Sequence, residues 1–260
     1  MVRHGEQVRA RPVAEVRRAL VRGAQDVTRL VVPVECPGCH RWDVVLCDEC
    51  AATLKGPTTR CEWDVPRLDR MGGQVPLPVW RVARYAGPVR GVVLAWKDGG
   101  RADLTPTLVA AVRTSAGGLG PVLGSASAGA ELCVVPVPST AGACRRRGAD
   151  LVRLLAQGVV EGLLDAGVRA RVMPVLAVRS GRRDQVGLGA AARGRNTSGS
   201  VRLRGRWTVS GVGVPHLLVD DVVTTGSTLA ACEGALSAAG GVVLGAFVLA
   251  ATPPPSSPCG

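Results

Sequence analysis

From Trp80 onward the chain repeats one arrangement, a short apolar run followed by a longer stretch with helical spacing. The runs VWRVARY, ELCVVPVP, PVLAVR, HLLVDDVV and VVLGAFVLA are interleaved with residues 88–97, 104–116, 147–165 and 227–239, whose apolar positions recur every three to four residues. Strand and helix in alternation predict an α/β fold, a parallel sheet with helices on its faces. The runs are continuously apolar, which is the composition of strands covered on both sides. With 47% hydrophobic residues in 260, the chain can build one sizeable core and a small accessory module.

Around this domain, placed at residues 80–252, the sequence divides further. Residues 1–33 read as an Arg-rich arm followed by an amphipathic helix, with Val13, Val16, Leu20, Ala24, Val27 and Leu30 on one face. Residues 34–64 form a Cys-rich module, 65–79 a linker containing Pro and Gly, and 253–260 (PPPSSPCG) a tail expected to be disordered. Residues 1–22 are studded with Arg and lack an apolar leader, so the chain is expected to stay in the cytoplasm. The run at 242–251 is about half the length that spans a bilayer, so no membrane span is expected. The net charge of +12 comes almost wholly from Arg, with Lys55 and Lys97 the only lysines. That balance suits an anionic substrate or nucleic acid, and it equally suits a GC-rich coding sequence.

Nine cysteines in a chain without an export signal point away from disulfides. Cys36-Pro-Gly-Cys39 and Cys47-Asp-Glu-Cys50 make C-x2-C-x7-C-x2-C, two knuckles whose thiolates can converge on one tetrahedral Zn2+. The spacing is tight, and His40 or Cys61 could replace one ligand. Four thiolates leave no open position, so the metal is expected to have a folding role. Cys133, Cys144 and Cys232 have no His near them in sequence and read as packing residues.

The stretch HLLVDDVVTTGSTL runs an apolar strand into two adjacent acids and then into a loop of Thr, Gly and Ser. A loop opening a helix offers unpaired N–H groups to a phosphate. Thr224, Thr225, Ser227 and Thr228 add hydroxyls, and Gly226 allows close approach of the backbone. Asp220 and Asp221, just upstream, can accept hydrogen bonds from vicinal sugar hydroxyls or from metal-bound water. A ribose 5-phosphate fits this arrangement; the plainer alternative is a helix capped by Ser227 or Thr225.

LLVDDVVTTGSTL resembles the phosphoribosyl pyrophosphate (PRPP) motif of type I phosphoribosyltransferases. The resemblance implies that Asp220 and Asp221 bind the ribose hydroxyls and that Thr224, Thr225, Gly226, Ser227 and Thr228 bind the 5-phosphate, with Mg2+ accompanying PRPP. An N-terminal helix, paired CxxC knuckles, YAGPVRGVVLAWKDGG, VVPVPSTAGACRRRGADL and RRDQVGLGAAARGRNTSG precede it. In this order, over nearly the whole chain, they resemble the ComF (competence protein F-like) family. That likeness implies a pyrophosphate loop at Pro138, Ser139 and Thr140, a type I phosphoribosyltransferase-like sheet, a family role for Lys97, and a flexible hood at residues 179–206. Independently, Arg145, Arg146 and Arg147 suit an anion or a solvated charge run.

The chain departs from the family's usual sequence in three places. Arg147-Gly148-Ala149-Asp150-Leu151 stands where an Arg-Gly-Phe-Asn-Gln-like run is common, Cys61 stands alone in place of a third CxxC, and Thr224 holds the place of an Asp in purine-salvage enzymes. No general base is identifiable. Two functions follow: transfer of a phosphoribosyl group from PRPP to an unidentified acceptor, or non-catalytic binding of PRPP or single-stranded DNA in service of the DNA-uptake machinery. The eight arginines of 179–206 favour a nucleic-acid contact, and the absence of any aromatic residue there for base stacking opposes it.

Overall fold

The structure, a computed structural model, describes residues 34–65, 68, 76–178, 201–204 and 213–254. The expected N-terminal helix, most of the expected hood and most of the tail lie outside these residues. Eight strands are described: β1 (Thr59–Arg60), β2 (Val79–Arg84), β3 (Leu132–Pro136), β4 (Ala170–Val172), β5 (Leu176–Val178), β6 (Val201–Leu203), β7 (Pro215–Val223) and β8 (Val242–Ala251). The helices are α1 (Asp48–Ala52), α2 (Gly87–Lys97), α3 (Thr105–Gly117), α4 (Gly120–Ala126), α5 (Ala141–Arg147), α6 (Leu151–Asp165) and α7 (Ser227–Ser237).

Six strands form one sheet in the order β1-β2-β8-β7-β3-β4. Every neighbouring pair is parallel except β1 with β2, where Thr59 lies opposite Arg81. The mostly parallel sheet flanked by helices agrees with the continuous apolar runs. Successive residues point to opposite faces, and each face carries its own core. Val134, Leu217, Val219 and Phe247 meet Val92 and Trp96 of α2, Leu108 of α3 and Leu155 of α6. Val135, Leu218, Ala246 and Val248 meet Leu229, Cys232 and Leu236 of α7. Cys133 and Cys232 are buried in this interior, as packing thiols should be.

Two expectations need correction. The helix read at 147–165 starts later, at Leu151: Gly148 takes a left-handed φ of 71° that ends the separate short helix α5, and Asp150 starts α6 by accepting from the Arg153 amide. The PVLAVR run does not join the parallel sheet: β5 pairs antiparallel with β6 in a separate two-stranded ribbon, Leu176 opposite Leu203. A three-residue apolar strand carries too little pattern to tell these pairings apart. No helix among the described residues is long and apolar enough to cross a membrane.

Candidate functional site

The four cysteines of the two knuckles converge, with their sulfurs all within 4.8 Å of one another. Cys47 Sγ lies 3.8 Å from Cys36 Sγ and 3.5 Å from Cys39 Sγ. Zn–S bonds of about 2.3 Å in a tetrahedron place sulfurs about 3.8 Å apart, so the donor set fits a zinc ion. The first knuckle turns back on itself, the Cys36 amide donating to the Arg41 carbonyl and the His40 amide to the Cys36 carbonyl. Gly38 is required there, since a Cβ would stand 2.7 Å from Cys50 Sγ. The second knuckle opens α1, with Cys47 as its N-cap accepting from the Cys50 amide.

Burial pushes the Cys36 thiol up, but amides of Cys47, Gly38 and Cys39 outweigh it and bring it down to about 6. Burial and the neighbouring sulfurs hold Cys50 well above its ordinary value. A bound cation would stabilise both as thiolates. The two alternative ligands are engaged elsewhere: exposed His40 faces Glu35 at 3.4 Å, and Cys61 is buried beside Val65 and Val79. Arg101 fastens the knuckles to the sheet domain, donating to the Glu35 and Val45 carbonyls at 3.0 Å while paired with Asp103.

At the carboxyl ends of the parallel strands, the chain leaves β3 through α6 toward β4 and leaves β7 through α7 toward β8, in opposite directions. Such a reversal opens a crevice between the two strands, the usual place for a ligand in an open α/β sheet. Pro136 lies opposite Val219, and the Val137 amide donates to the Val219 carbonyl at 2.8 Å, so residues 138–140 leave the sheet beside the acid pair. Thr140 caps α5 by accepting from the Ala143 amide, and Ser139 Oγ donates to Asp150 Oδ1 at 3.5 Å. Both hydroxyls thus have local structural work.

The two acids differ in their surroundings. Asp221 is buried and meets Lys97 of α2, whose Nζ is 2.9 Å from Oδ1 and 2.8 Å from Oδ2. Asp220 accepts from the Asp221 amide at 2.8 Å, and its charge bears on Cys232 of α7, on the other face of the sheet. Burial, then repulsion from Asp221, push the Asp220 carboxyl up to about 8.

Past β7, Thr224 and Thr225 are exposed and Ser227 and Thr228 half-buried. The N-cap of α7 is Gly226, which has no side chain to offer; Thr225 Oγ1 accepts from the Ser227 amide at 3.5 Å and lies 3.1 Å from Ser227 Oγ. Of the two capping residues named by the sequence, Thr225 makes a long contact of this kind from just before the N-cap. Gly226 has a left-handed φ of 78°, and a Cβ on it would strike Val65 and come within 2.9 Å of Leu68 Cγ. Glycine is needed here for its conformation and to fit beneath those two side chains. The segment carrying them is anchored by buried Glu62, which accepts from the Val79 amide and pairs with Arg60, and by Arg81 with Asp64 at 3.0 Å.

A cavity of about 490 Å3 adjoins the Lys97–Asp221 pair, lined in part by Trp96, Lys97, Gly100, Arg146 and Arg147. Arg147 donates to the Lys97 carbonyl at 2.7 Å and pairs with Asp98 at 3.2 Å, which joins the end of α5 to the end of α2. Arg145 and Arg146 are exposed. The partnership of Lys97 with Asp221 was invisible in the sequence, where the rarity of lysine and the family likeness marked the position without naming its partner. No protein-family model matches the chain, and no curated protein matches it.

Proposed function

We propose that the chain is a PRPP-binding, phosphoribosyltransferase-like protein of the ComF family that transfers a phosphoribosyl group to an acceptor. The observation that carries the reading is the meeting, at one reversal point of a parallel sheet, of the 138–140 loop and the acid-then-Thr loop of β7. In this reading Thr224 to Thr228 hold the 5-phosphate at the first turn of α7, and Asp220 and Asp221 orient the ribose hydroxyls. Residues 138–140 hold the pyrophosphate. Mg2+ supplies charge neutralisation of the departing pyrophosphate when bound; Asp221, whose oxygens already hold an ammonium group, is suited to a cation or its bound water. The cysteine cluster holds zinc as a structural support, and the function is exercised in the cytoplasm.

The test is calorimetric titration of the zinc-loaded protein with PRPP and Mg2+, beside an Asp220→Asn/Asp221→Asn variant. Binding by the native protein that is lost in the variant is the expected result. No binding by the folded native protein would remove the reading.

One observation favours a second function, single-stranded DNA binding in DNA uptake. Trp42, beside the cysteine cluster and Arg41, is 62% exposed, and Trp63 is 75% exposed. Exposed aromatic rings are what base stacking uses, and Trp42 has Arg41 as its neighbour in the chain. DNA affinity that falls on Trp42→Ala and Trp63→Ala but ignores Asp221→Asn would favour this function over transfer.

A further inference from the structure

Lys97 is held as a bridge between two sites. Its ammonium group lies on both oxygens of Asp221, while its residue also lines the 490 Å3 cavity with Arg146, Arg147 and one carboxylate, Asp98, which Arg147 neutralises at 3.2 Å. The backbone at this point is fixed, because Arg147 Nε donates to the Lys97 carbonyl. Beyond that anchor the side chain is a four-carbon stem with rotatable bonds, ending in three donors. Lys97 retains 24% side-chain exposure and Asp221 only 7%, so the exposed partner of the pair is the lysine.

We propose that Lys97 is a tethered counter-ion that holds Asp221 in the free protein. When that carboxylate gains another partner, the ammonium group turns into the cavity and completes, with Arg146 and Arg147, a site for a diphosphate anion. The proposal deepens the PRPP reading and rests on it for the class of ligand. A ribose hydroxyl or a hydrated cation arriving at Asp221 releases the lysine, and the lysine then strengthens the hold on the diphosphate end. Occupancy of one half of the site therefore raises affinity for the other, with the coupling carried by a single side chain. Until release, Asp221 keeps its buried charge compensated, which explains how an acid is tolerated at this place in the strand.

The test is a double-mutant cycle read by calorimetry with inorganic diphosphate, without divalent metal. Asp221→Asn frees Lys97, so this variant should bind diphosphate more tightly than the native protein. Lys97→Gln should change affinity less than about twofold in the native background, yet weaken it about tenfold beside Asp221→Asn, the loss of one charge-assisted hydrogen bond. Equal costs in the two backgrounds would overturn the exchange, and so would failure of the Asp221→Asn protein to bind diphosphate. Asp221→Ser replaces Asp221→Asn should the latter not fold. PRPP and Mg2+ binding by the native protein without this coupling leaves the transferase reading and removes the exchange. Coupling without any PRPP binding does the reverse.

Discussion

Asp220 should make the stability of the free protein fall as pH rises. Its carboxyl is pushed from an ordinary value of 3.8 up to about 8, so the folded chain keeps a proton that the unfolded chain has released across that window. Stability then declines with pH at a limiting rate of about 1.4 kcal/mol per unit, since one extra proton is bound in the native state. Asp220 keeps partial exposure, so this slope is a ceiling. Between about pH 5 and pH 7 the native protein should lose up to about 3 kcal/mol relative to Asp220→Asn, which keeps the shape and cannot ionise. The difference should level off above about pH 8, where Asp220 is ionised in both states. Buried His216, held below its ordinary value, contributes the opposite slope, because stability is lost as pH falls and the ring must charge. It is present in both proteins and cancels in the difference. Urea unfolding midpoints of the two proteins across about pH 5 to pH 9 measure this directly. Parallel curves would show that Asp220 is solvated well enough to ionise normally, and would refute the reasoning.

Two further outcomes follow from the geometry. The purified protein should carry one zinc ion per chain, released by a strong chelator and absent from Cys47→Ser, because Cys47 Sγ lies within 4 Å of two other thiols; metal content by atomic absorption checks this. Gly226→Ala should destabilise by about 1–3 kcal/mol through the left-handed backbone and the collision with Val65 and Leu68, seen as a lower Tm, whereas the exposed Thr225→Ala should leave Tm nearly unchanged.

The local features of the chain were legible in its sequence where one short pattern suffices. C-x2-C-x7-C-x2-C sits within a few turns of chain, so its spacing alone brings the sulfurs together. Continuous apolar runs identified β2, β3, β7 and β8 as interior strands, because burial on both faces leaves no other composition. Features that depend on distant pairing were hidden. Lys97 and Asp221 are 124 residues apart and meet because α2, which follows β2, packs on the sheet face that carries Leu217 and Val219 of β7. Residues 65–79, read as a linker, begin with Val65 and include Leu68, two buried side chains over the Thr loop. Their apolar character is too sparse to announce a cover.

The seat of Val65 and Leu68 above Gly226 bears on how such a chain can be engineered or inherited. A sheet domain excised at Trp80 would carry an unfilled slot above the turn that starts α7, along with a bare edge on β2 where β1 now pairs. Exchange of the cysteine segment between relatives would therefore succeed only when residues 59–68 travel with the sheet that they cover. The natural cut for a chimera falls between α1 and β1, at residues 53–58, and places the knuckles on one side and the lid over the loop on the other.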